Sequence, residues 1–383
     1  MIIGSYEVLL EQRTDVRRAS ALVVPIASIL GALIIAGVFL WLTGRPALSV
    51  YARLVRDGYG SWYSISDTLG QATPLILTGL AAAFAFRMNL YNIGGEGQLY
   101  AGAIGASWAG LAIVPHVSGP VAVLAVLLAG MVGGVLWILI PAIARALLHT
   151  SEIVTTLLFN YVALFLMQYL IFGSSSFWRD PDSKNFPQGR PLPDVAHFPQ
   201  LHFPRDVAGL DFPSGLTAIH LGLGVAVLAI LAVWFLQQRT SFGFDMQVVG
   251  SSERAARYAG IPIKRTVIAV MLISGGLAGL AGAGEVGGRA YALDPNGLVL
   301  GLGYTGIVVA ALSRYNPFAV GLVAVLLAGL RTGADAQQGA TGPLRVPVAI
   351  AFMLEGAILL AALGGEVFRR NRLVVRRIRE APA

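Results

Sequence analysis

The sequence predicts an all-α fold, a polytopic integral membrane protein of about ten transmembrane helices with both termini on the cytoplasmic side. Three observations point there. Of 383 residues, 56% are hydrophobic and only 12% charged, against about 25% charge in an average soluble domain. Mean hydropathy is +0.72. Several apolar runs reach the ~20 residues at which a helix rising about 1.5 Å per residue crosses a hydrocarbon core of about 30 Å. The whole of 1–383 reads as one transmembrane domain. It holds no cysteine, which excludes disulfides and thiolate metal sites.

In chain order, residues 1–21 form a cytoplasmic arm in which Arg13, Arg17 and Arg18 alternate with Glu7, Glu11 and Asp15. No small-residue cleavage site ends the first apolar run, so it reads as a retained helix rather than a signal peptide. Spans are predicted at 22–42, 69–86, 99–114, 120–144, 153–172, 216–236, 266–285, 297–312, 317–332 and 346–363. Those at 99–114 and 297–312 are short and glycine-rich, the pattern of tilted, broken or re-entrant segments. Gly130 with Gly134 and Gly275 with Gly279 are spaced for close helix contacts. An even number of spans puts both termini on one side. Of the 27 Lys+Arg, 17 fall on that side, which the positive-inside rule makes cytoplasmic. The external loop 173–215 carries Pro181, Pro187, Pro191, Pro193, Pro199, Pro204 and Pro213 and reads as an irregular, stiffened cap. The tail 366–383 gathers Arg369, Arg370, Arg372, Arg376, Arg377 and Arg379, so attraction to anionic membrane lipid accounts for the +7 net charge without invoking nucleic acid.

Polar residues inside such a chain mark where function concentrates. The stretch from Arg87 to Gln98 interrupts the apolar sequence with Gly94, Gly95 and Gly97 and with Asn89, Asn92, Glu96 and Gln98. Those side chains offer donors and acceptors suited to hydroxyls and base edges. Lipid offers no partner to such groups, so the segment either leaves the bilayer as a cytoplasmic turn or dips into the protein and lines a pathway. Glu152, Thr156 and Asn160, with Gln168 two turns on, share one face of the fifth span. Eight residues set Asn160 about 12 Å deeper than Glu152. It faces the pathway or makes an interhelical hydrogen bond of about 1 kcal/mol. The string Gly301-Leu-Gly303-Tyr-Thr-Gly306 matches a dinucleotide fingerprint literally, but it sits within an apolar span and lacks the strand that such a site needs. Glycine packing, with Tyr304 and Thr305 facing the pore, is the better reading.

The predicted cytoplasmic loop 237–265 has a helical pattern of its own. Ser251 or Ser252 can cap a short helix from about Ser252 to Ala259, Glu253 favours its first turn, and Gly260 with Pro262 ends it. Ala255, Ala256 and Ala259 make a small smooth face flanked by Arg254, Arg257 and Tyr258, fit for a groove on another protein. This string, Ala-Ala-Arg-Tyr-Ala-Gly-Ile, resembles the coupling loop of permease subunits of bacterial ABC importers. Asn-Ile-Gly-Gly-Glu-Gly-Gln at 92–98, Glu-Ile-Val-Thr-Thr-Leu-Leu-Phe-Asn-Tyr at 152–161 and Gly-Leu-Gly-Tyr-Thr-Gly-Ile at 301–307 are similar to the ribose-permease-like branch that serves nucleosides and simple sugars. The resemblance runs from about Leu69 to Gly364. One departure stands out: importer loops commonly read Glu-Ala-Ala, whereas this chain has Arg254-Ala255-Ala256 with the acid one position earlier, at Glu253.

The resemblance implies a permease domain that carries a nucleoside, or a simple sugar, into the cell across the bacterial plasma membrane. It implies as partners an ATP-binding subunit holding ATP and Mg, a second permease subunit, related or identical, and an external solute-binding protein. The chain itself offers no phosphate loop, with lysine only at 184 and 264, and is not expected to be an enzyme. Its five histidines, at 116, 149, 197, 202 and 220, have no metal-ligand spacing on one helix, although His197 and His202 share a loop. A transporter driven by an ion gradient is the rival reading, with Glu285, Asp294 and Glu355 as intramembrane acids.

Overall fold

The computed structural model describes residues 2–3, 6–12, 20–183, 186–200, 206–207, 210–211, 218–337, 349–350, 352–354, 356–358, 360–361, 364 and 371–377. Helices dominate. In chain order they are α1 (Ser20–Leu42), α2 (Ala47–Tyr59), α3 (Trp62–Phe86), α4 (Gly95–Ala112), α5 (Gly119–Leu148), α6 (Glu152–Gln168), α7 (Leu221–Arg239), α8 (Ser241–Ser251), α9 (Glu253–Tyr258), α10 (Ile263–Glu285), α11 (Pro295–Leu298), α12 (Leu302–Leu312) and α13 (Pro317–Ala336). Single π turns extend α6 through Gly173 and α10 through Ala290. Every predicted span from 69 to 332 overlaps a helix; 297–312 is broken at 299–301, between α11 and α12, and α7 begins only at Leu221. Among the described residues, seven helices are long and apolar enough to cross a membrane, or up to eight when the pair Leu30–Leu42 and Ala47–Tyr59, bent by 118°, is counted as one span. α4, whose first turn carries Glu96 and Gln98, is not among the seven. Of the tenth predicted span, 346–363, the described residues 349–350, 352–354, 356–358 and 360–361 are helical.

Two compact units emerge, where the sequence reads as one: Met1–Ala52 with Gln337–Ala383, and Arg53–Ala336. In the first, strands β1 (Ile2–Ile3), β2 (Tyr6–Gln12) and, near the C-terminus, Asn371–Arg377 form a small antiparallel sheet in the order given. The register sets Glu7 opposite Arg376 and Glu11 opposite Arg372. The arm and the basic tail, expected as separate cytoplasmic extensions, are thus partners in a strand ladder. Arg13, Asp15, Arg17, Arg18, Lys184, His202, Pro204, Pro213, Arg345, Glu355, Arg369, Arg370 and Arg379 lie outside the described residues.

The second unit is built around α3, α4 and α10. α10 lies against α5, α4 and α3 in turn. Its contact with α5 joins the two glycine pairs read from the sequence: a Cβ on Gly279 would collide with Gly130 O, and one on Gly134 with Gly275 O. Backbone thus meets backbone, the close approach that small residues permit within a membrane. Along α5, by contrast, Leu124, Leu128, Leu136 and Ile140 remain exposed. The turns sort themselves by end. Residues 87–91, the Arg145–Glu152 corner, α8, α9 and the turn at Tyr315 share one end, where the Phe86 ring meets Tyr91 at 5.2 Å and Tyr315 at 5.9 Å. These are segments the charge distribution assigns to a single side.

Candidate functional site

Residues 87–98 begin as a turn and continue inward. Asn89 sits at φ 57 and its Nδ2 donates to Gly250 O of α8 at 2.7 Å. Arg87 donates to Gln237 Oε1 at 2.8 Å. From Leu90 the chain turns back into the bundle and starts α4 at Gly95. The neighbours give the depth. Thr78 lies eight residues inside the end of α3, Asn160 eight inside α6 and Ser274 eleven inside α10, about 12 to 17 Å from the turn end at 1.5 Å per residue. Of the two readings of this segment, the turn holds for 87–91 and the dip for 92–98.

The dip is held by a dense set of hydrogen bonds, as burial in a membrane favours. Asn92 Nδ2 donates to Gln98 Oε1 at 3.0 Å and to Ser274 Oγ at 2.9 Å. Gln98 Nε2 and Gly94 N both donate to Asn92 Oδ1 at 2.9 Å. Thr156 Oγ1 accepts from Ile93 N at 3.1 Å. Asn160 grips both sides of the segment, accepting from Gly97 N at 2.8 Å and donating to Ile93 O at 2.9 Å. Asn92, Glu96, Gln98, Thr156 and Asn160 are all buried; Gln168 is half-buried, two turns beyond them. Tyr304 forms the open edge of the network, 40% exposed, and its hydroxyl accepts from Asn160 Nδ2 at 3.2 Å.

Glu96 ties α4 to α12. Its Oε1 accepts from the Tyr100 hydroxyl at 2.6 Å and its Oε2 from Gly303 N at 2.6 Å. A Cβ at position 303 would strike Glu96 N, so glycine is what lets the two helix starts meet. Thr305, expected beside Tyr304 at the pore, is buried and accepts from Arg331. Glu152, at the top of α6, pairs with Arg145 at 3.1 Å and accepts from Tyr91 N at 3.3 Å. Sequence reasoning singled out the carboxylate and amide members but missed Tyr100, Arg145, Ser274 and Arg331. Only Tyr100, four residues after Glu96, left a readable spacing signal.

The loop helices take shape as capping rules require. Ser252 caps α9, its Oγ accepting from Ala255 N at 3.2 Å, and Gly260 at φ 71 stops it. α8, which precedes it, was not anticipated. Tyr258 is 94% exposed, whereas Ala256 is 0% exposed. Arg254, Ala255 and Arg257 also face outward, and Arg257 lies 3.9 Å from Glu253, a solvent-exposed pair of small worth. The smooth face read from the sequence is therefore divided: Ala255 belongs to the surface, and Ala256 seats the helix. A cleft of about 660 Å³ separates α8 and α9 from the helix ends, lined among others by Asn89, Arg145, His149 and Lys264.

Asp294 and Glu285 have structural partners. Asp294 caps α11, accepting from Asn296 N at 3.0 Å and Gly297 N at 3.1 Å. Glu285 is buried, 3.8 Å from Arg289. His197 lies against the Tyr291 ring at 4.1 Å.

With this geometry in place, likeness to known proteins becomes informative. A family profile described as branched-chain amino acid transport system / permease component matches residues 64–363. The chain belongs to this permease family. It is 35% identical over 322 residues to a guanosine ABC transporter permease of Bacillus subtilis (strain 168), covering 83% of this chain and 87% of the relative. A glucose ABC transporter permease of Haloferax volcanii is 33% identical over 387 residues, covering 98% and 97%. A nucleoside ABC transporter permease of Lactococcus lactis subsp. cremoris is 31% identical over 314 residues, covering 81% and 83%. No solved structure gives a significant match. The permease is a multi-pass membrane protein and a transport subunit, as the four sequence strings imply.

Proposed function

We propose that this permease is the membrane-spanning subunit of an ABC importer carrying a nucleoside, or a simple sugar, into a bacterial cell across its plasma membrane. The observation that carries the reading is one path made of hydrogen bonds and the covalent chain between Asn89 and Ile93. It runs from the loop helices through Asn89 to the re-entrant segment and on to Asn160 and the open edge at Tyr304. Asn92, Glu96, Gln98 and Thr156 shape the wall of the solute path, and Tyr304 with the Asn160 amide presents polar atoms to a hydroxyl or a base edge. A separate ATPase subunit, holding ATP and Mg, docks on α9 through Arg254, Ala255, Arg257 and Tyr258, while Glu253 and Gly260 fix the ends of that helix. The path is completed by a second permease subunit, identical or related, and an external binding protein delivers the solute. Both termini lie in the cytoplasm, in keeping with the distribution of Lys and Arg.

The test is uptake of guanosine or glucose into sealed vesicles that hold the permease, its ATPase and its second subunit, with the binding protein outside. Uptake should require ATP. Replacing the exposed anchor, Tyr258→Ala, should lower uptake about tenfold or more, the scale of a buried aromatic anchor at an interface, with the membrane unit still folded. Uptake that runs on an ion gradient without the ATPase would overturn the importer reading in favour of its rival, and a Tyr258→Ala permease with wild-type uptake would overturn the docking assignment.

A further inference from the structure

The end of the second unit opposite α8 and α9 holds a small pocket of about 160 Å³, lined by Asp67, Gln71, His220, Arg289 and Tyr291 among others. α10 separates the two ends: Ile263 starts beside the loop helices, and Glu285 is 22 residues on, about 33 Å away at 1.5 Å per residue. The pocket is a built one. Gln71 Nε2 bridges two carboxylates, 3.3 Å from Asp67 Oδ2 and 3.3 Å from Asp335 Oδ2. Arg289 stands on the π turn that extends α10, a distortion frequent at functional sites, and is tethered to buried Glu285. The imidazole of His220 is buried. Its Nδ1 accepts from Gly222 N at 3.1 Å, which leaves the ring proton on Nε2 as a donor. Burial first, and Arg289 second, lower its pKa to about 4, so the ring is neutral at ordinary pH.

We propose that this pocket holds the sugar ring of the transported solute and reads its vicinal diol. The proposal rests on the importer reading above. The lining combines fixed acceptors, the Asp67 oxygens, with fixed donors, the Arg289 guanidinium and His220 Nε2. A cation entering would meet Arg289 and an anion would meet Asp67. A neutral polyol satisfies both, because each hydroxyl donates and accepts. The size agrees: 160 Å³ lies below the roughly 300–1,000 Å³ of sites that enclose drug-sized ligands, so it suits one sugar ring better than a whole nucleoside. The pocket is therefore a place where the ring is held at the external end of the path while the rest of the solute is still outside.

The experiment uses the complete complex in sealed vesicles. Guanosine and 2′,3′-dideoxyguanosine are each supplied at a concentration that saturates the binding protein, so that the selectivity measured belongs to the permease; glucose and 2-deoxyglucose form a second pair. Wild type should carry the hydroxylated member about tenfold faster or more, the scale of lost hydrogen bonds to charged groups. Asp67→Asn and Arg289→Gln should lower uptake of that member alone, bringing the ratio of the pair towards one. Should either variant assemble poorly, Tyr291→Phe, which deletes a single hydroxyl, should lower the ratio with normal assembly. Both members falling in parallel, or a ratio unchanged in all three variants, overturns the diol site while leaving the importer reading intact. Absence of ATP-dependent uptake of either pair by the wild type overturns the importer reading, and the site with it.

Discussion

α3 and α5 are both apolar helices long enough to cross a bilayer, and α5 is the more apolar of the two, yet 94% of the α3 window is buried against 28% for α5. In water the order would be reversed. In lipid, hydrophobicity brings a helix into the membrane without deciding which helices meet, because acyl chains are as apolar as leucine. What draws α3, α4 and α10 to the centre is small residues that let backbones touch and polar groups that need partners. What leaves α5 outside is a leucine-rich stripe already content with lipid.

The contrast can be broken most severely at the inner crossing. Gly279→Leu would force α10 and α5 apart where backbone meets backbone. Such overpacking costs about 3 kcal/mol or more, and the expected result is loss of the monodisperse protein on size-exclusion chromatography. At the seam between inner and outer helices, His220 caps α7 while packed beside Arg289. Its pKa is lowered from 6.5 to about 4, so the folded state favours the neutral ring. That contribution is complete above pH 6.5 and is lost as the pH falls from 6.5 towards 4. It is on the order of 3 kcal/mol, and His220→Gln should flatten the acid limb of a thermal-stability profile relative to wild type. The smallest effect is expected on the outer stripe: Leu136→Ala, on an exposed face, should shift stability by no more than about 0.5 kcal/mol. A larger loss there would mean that this face packs against protein rather than lipid.

Much of this arrangement was legible in the sequence. Span positions follow from hydropathy, the Gly130–Gly134 and Gly275–Gly279 pairs were found by spacing and meet each other, and Ser252 and Gly260 bound α9 as capping chemistry demands. Three things were not legible, each because it depends on where another element lies. The depth reached by residues 92–98 is set by Asn160, Ser274 and Gly303 on three other helices. The burial of Ala256 could not be told from the exposure of Ala255, since both are alanines on a six-residue helix with no apolar stripe to orient it. The Asp67, Gln71, His220 and Arg289 pocket draws on segments more than 200 residues apart; of its surroundings the sequence offered only Glu285 as a functional acid, and His220 only as a histidine without metal-ligand spacing.

The position of Glu96 carries one more consequence. It lies in the first turn of α4, and its second oxygen is held by Gly303 N in the first turn of α12. Two helix dipoles therefore point their positive ends at one carboxylate, each equivalent to roughly half an elementary charge. Glu96→Ala would leave Gly303 N and the Tyr100 hydroxyl without their shared acceptor and two positive helix ends facing one another. On the path proposed above, a solute would then pass two helix starts turned toward each other with no carboxylate between them.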